Sequence, residues 1–142
     1  MKPTLTYISK SLFTLLILLA VEGLALPQES KSITSSANGK GTIKVGREEF
    51  EVHAVAVKLL EDGTAEISLV SEITFFIQGK WKQSDKSRNE VDLTITGSVV
   101  AGGAQGTGKL TLRDDRKSIA SLTLEGSSNT RKRVVKLNFV AQ

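Results

Sequence analysis

Cysteine is absent from the 142 residues, histidine occurs once, and both prolines lie before residue 28. The first absence removes disulfides, thiolate metal sites and any lipid-bearing cysteine, so the fold must rest on buried apolar surface. The second means that a triad or acid–base pair built on imidazole has only His53 to use. The third leaves every backbone N–H after Pro27 free to join a ladder. Aromatic residues make up 5% of the chain and the formal net charge is +4. Neither value describes a nucleic-acid footprint, which needs a basic face interleaved with stacking rings. No segment sustains apolar residues at i, i+3, i+4 and i+7, so no helix is expected after the first 25 residues.

Those first residues follow the order of an export signal. Lys2 and Lys10 precede an apolar run from Leu12 to Val21 that is too short to span a bilayer, and Gly23 and Ala25 are small enough for a cleavage pocket. Cleavage after Ala25 makes residues 1–25 a signal peptide and Leu26 the new N-terminus. The protein is expected to be secreted or periplasmic and soluble, with no membrane span. Residues 26–40, rich in Ser, read as a flexible leader, and residues 41–142 as a single domain.

What is present in that domain is alternation. From Ala65 to Trp81 every second position gives Ala65, Ile67, Leu69, Ser71, Ile73, Phe75, Ile77, Gly79 and Trp81, with Glu66, Ser68, Val70, Glu72, Thr74, Phe76, Gln78 and Lys80 between them. A period of two places the first set on one dry face. Seventeen residues exceed a usual strand, so a break is expected near Ser71 and Glu72. Other alternating runs cover Gly41–Val45, Glu49–Leu60, Glu90–Gly97, Lys109–Arg113, Ile119–Glu125 and Arg133–Val140. In the second of these the apolar phase slips near Ala54, the mark of a bulge. Glu61-Asp62-Gly63 signals a hairpin. Short turns join most runs, so the chain predicts an all-β, antiparallel meander of about eight strands that closes into a small up-and-down barrel, with a two-layer sandwich as the alternative.

Chemistry-bearing residues are few. His53 sits inside an apolar strand, where a structural or solvent-facing role is the ordinary one. The acidic pairs Glu48-Glu49, Glu61-Asp62 and Asp114-Asp115 fall at turns, and no Asp-x-Asp-x-Asp spacing suits calcium. The glycines from Gly102 to Gly108 lack the Lys-Ser/Thr ending and helix of a phosphate loop and read as a long hairpin loop. Basic residues gather at Lys80, Lys82, Lys86 and Arg88, and again at Arg131, Lys132, Arg133 and Lys136. The latter fall on both strand parities and suit protection of a strand edge. No catalytic set, metal or cofactor is expected, nor is nucleic acid a partner. Two functions remain. One is a non-enzymatic carrier holding a small apolar or amphipathic ligand inside the barrel against Phe75, Ile77 and Trp81. The other is a structural or protein-interaction module with a solid core, using Phe76 or the basic patch as its contact. Interior volume separates them.

Overall fold

The computed structural model describes residues 32–98, 103–128 and 132–142. The expected signal peptide lies outside them, as do Gly102 and Arg131. Eight strands follow in order: β1 (Ile33–Val45), β2 (Glu48–Leu59), β3 (Thr64–Val70), β4 (Thr74–Gln83), β5 (Glu90–Ser98), β6 (Ala104–Leu112), β7 (Ile119–Ser128) and β8 (Val134–Ala141). Each pairs antiparallel with its sequence neighbour, and β8 returns to pair with β1, so the sheet is a closed meander barrel. No helix occurs among the described residues.

The inward row of Ala65–Trp81 is dry as its alternation requires: Ile67, Leu69, Phe75 and Ile77 are all buried. Ile73 departs from the expectation and is exposed, because residues 71–73 leave the ladder to form the bend between β3 and β4, where Val70 pairs with Thr74. Leu59, Leu69, Leu110, Leu122, Leu124 and Phe139 complete the centre of a single core. Outside, Lys, Glu and Thr dominate, the reverse of a transmembrane barrel, whose apolar band faces lipid.

Bulges set the local register. Asn38 pairs with Ala54 but Gly41 pairs with Val52, so Gly39 and Lys40 oppose His53 alone. This one-residue offset turns Val55, Val57 and Leu59 inward on one side of it and Val52 on the other. The slip legible in β2 is therefore produced by an extra residue in β1. A second offset leaves Ala120 without a partner of its own in β7. As a result Ile119 rather than Ala120 is fully buried there.

Two strands are longer than alternation of large residues suggests. β1 begins at Ile33, inside the stretch expected as a leader, and its inward positions are Ser35, Ala37 and Gly39. β6 begins at Ala104, inside the expected glycine loop, with Gly106 and Gly108 on its inward parity. Both follow from interior packing. A Cβ on Gly39 would clash with the Val140 carbonyl and stand 2.8 Å from the Phe139 ring, and one on Gly108 would clash with a Leu124 methyl. Small barrels alternate small and large inward residues in this way.

Candidate functional site

The barrel interior is the first place to look for a site, and among the described residues its inward side chains form one closely packed core. A void at the end bearing the β3–β4 bend is about 10 Å³, lined by Ile43, Phe75, Ile77, Ile95 and Leu124 among others. That is room for no more than one water, and the lining is apolar. Phe75 meets Phe50 edge to face, with ring centroids 5.4 Å apart. Phe75 and Ile77 thus share the void, but Trp81 does not belong with them. It stands two residues before the opposite end of β4, half-buried. Its Nε1–H donates to the Leu60 carbonyl at 2.7 Å, and its backbone N–H donates to the Gly63 carbonyl at 2.8 Å. Trp81 closes the base of the barrel over the Asp62–Gly63 hairpin.

That base is bound together by polar side chains. Arg116 donates to the Gln83 side-chain oxygen at 2.7 Å, the Asn89 amide donates to Asp114 at 2.9 Å, and the Leu112 N–H donates to the Asn89 carbonyl at 2.8 Å. The connection between β4 and β5 is thereby tied to the β6–β7 turn. Within that turn Asp115 accepts from the Ser118 hydroxyl at 2.6 Å and from the N–H groups of Lys117 and Ser118. These donors, the Ser118 hydroxyl foremost, lower its pKa from 3.8 to about 2. The Thr64 N–H lowers that of Asp62 in the same manner. Both shifts arise from hydrogen bonds within the turns that these carboxylates cap.

His53 is exposed on the outer face. It borders an open groove of about 640 Å³ with Lys40, Thr42, Glu51, Asn138 and Val140. The groove's walls are scattered, mostly polar residues on three strands. Among the described residues no three His, Asp or Glu side chains converge on a metal position. The basic residues near the C-terminus have acidic neighbours: Lys136 pairs with Glu125 at 3.4 Å and Arg133 with Glu48 at 3.9 Å. Lys44 and Glu49, opposite each other across β1 and β2, pair at 3.1 Å.

Among the described residues the exposed large apolar side chains are Val134 and Val140, at the two ends of β8, and a group of three at the β3–β4 hairpin. Phe76 is 50% exposed, against 2% for its neighbour Phe75, and Val70 and Ile73 are 45% and 43% exposed. Val70 and Phe76 are diagonal neighbours on the outer surface of the β3–β4 hairpin, within reach of an aromatic ring. Ile73 lies in the bend that joins them. The aromatic on the polar parity was the sequence signal for this patch. Val70 and Ile73 gave none, since one reads as an ordinary alternating residue and the other as core. Comparison with known protein families, with curated proteins and with solved structures finds no match.

Proposed function

We propose that this chain is an exported, soluble, non-enzymatic interaction module: a solid β-barrel that presents the β3–β4 hairpin tip to a protein partner. The observation carrying this reading is the contrast between neighbours on one strand, Phe75 sealed in a filled interior and Phe76 half exposed beside Val70 and Ile73. A void of about 10 Å³ favours the module over a carrier, since small-molecule sites occupy about 300–1,000 Å³. Export rests on the basic, apolar and small-residue order of residues 1–25. No helix of the described residues is long and apolar enough to cross a membrane.

A photo-reactive residue at position 76, introduced into the protein expressed in its source, tests the reading. It traps a discrete protein partner, while the same group at Lys82, on the outward parity at the other end of β4, traps none. Equal labelling from both positions would remove the hairpin tip as a contact surface.

A further inference from the structure

β2 runs past its neighbour. Its residues from Ala54 to Leu59 pair with β3, which stops at Val70, whereas Glu48 to Val52 pair with β1 alone and His53 faces the β1 bulge. On the side away from β1, the backbone of residues 48–53 has no ladder partner among the described residues. An unpaired strand edge is a template for another extended chain, and proteins ordinarily blunt or cover it. This one begins beside the exposed tip: Val70 ends β3 where the edge opens, and Phe50, half-buried on the inward parity, leads to Phe75.

The side chains on this edge decide what can add to it. Glu49 and Glu51 stand on the outward parity, with Glu48 at the strand's start, all three exposed. Glu49 and Glu48 are partly offset by Lys44 and Arg133, and Glu51 has no ion-pair partner among the described residues. A second copy pairing antiparallel through the same edge would set these carboxylates against each other, which disfavours a homodimer. An extended segment with basic side chains at alternate positions places them opposite Glu49 and Glu51, and its intervening apolar side chains fall over Phe50.

We infer that the free edge of β2 at Glu48–His53 receives a basic, extended segment of a partner protein by strand addition, in line with β3 beyond Val70. This rests on the interaction-module reading and names the partner's chemistry.

The probe is a blocked peptide of about seven residues alternating lysine and valine. Amide hydrogen exchange of the full barrel is followed by NMR with and without it. The expected result is slowed exchange at alternate amides within residues 48–53. The binding should weaken as salt rises, disappear when glutamate replaces lysine or the peptide N–H groups are methylated, and fall about five- to tenfold with Glu51→Lys. Glu51→Gln gives a smaller loss and serves if the lysine variant folds poorly. No protection at residues 48–53, protection elsewhere only, or concentration-dependent dimerisation through this edge would each overturn the inference. If the crosslink from position 76 persists while the peptide leaves the edge unprotected, the module reading stands and the strand-addition inference alone falls.

Discussion

Phe50 of β2 packs its ring edge to face against Phe75 of β4, with centroids 5.4 Å apart and planes at 63°. Leu69 of β3 pairs with Phe75, and β3 stops one residue later at Val70. The aromatic pair joins β2 to the hairpin at the end where β3 gives out. Replacing Phe75 with Ala should cost about 3–5 kcal/mol, through lost burial and an unfilled cavity. A double-mutant cycle with Phe50→Ala should show about 0.5–1.5 kcal/mol of coupling beyond burial, read by chemical denaturation.

Phe76→Ala should cost under about 1 kcal/mol, because its ring is half exposed. Equal large losses at positions 75 and 76 would mean that both faces of this hairpin are covered.

At the other end, Trp81→Phe keeps an aromatic ring but loses part of the indole's bulk together with the Nε1–H bond to the Leu60 carbonyl. Besides the lost packing of the half-buried ring, the lost hydrogen bond alone should cost about 1 kcal/mol. It should also speed exchange of the Gly63 and Leu60 amides, which hold the hairpin closed through Leu60 and Thr64. Crosslinking from position 76 should be unaffected.

Acid should loosen the base of the barrel. Asp115 has its pKa depressed from 3.8 to about 2 in the folded state. Its contribution is therefore complete above about pH 4 and is lost as pH falls towards 2 and below. Asp62, shifted in the same direction, acts in the same sense. Denaturation midpoints of the wild type should be insensitive to these groups between about pH 5 and 8 and should decline below about pH 4. Asp115→Ala should be less stable near neutrality and show a shallower acid decline.

Much of the barrel was legible in alternation, because the inward rows Val91-Leu93-Ile95 and Val135-Leu137-Phe139 are large and apolar. The beginnings of β1 and β6 were not legible. Their inward positions are Ser35, Ala37 and Gly39 in one and Ala104, Gly106 and Gly108 in the other, and small residues carry little hydrophobic contrast. Gly39 and Gly108 leave room for Phe139 and Leu124 on neighbouring strands, which only the cross-strand register explains. Phe76 announced an outward aromatic, but the free edge beside it comes from the unequal lengths of β2 and β3. Sequence could place the Asp62–Gly63 hairpin without fixing how far its pairing extends.

The most direct measurement of the account is native mass spectrometry of the protein recovered from its source. The packed interior predicts a barrel that carries no small molecule, and the proposed export predicts a polypeptide starting at Leu26, its mass unchanged by denaturation beyond the loss of any protein partner. An added mass of a few hundred daltons, retained in the folded barrel and released when Phe75→Ala or acid opens it, would contradict the solid core and restore the carrier.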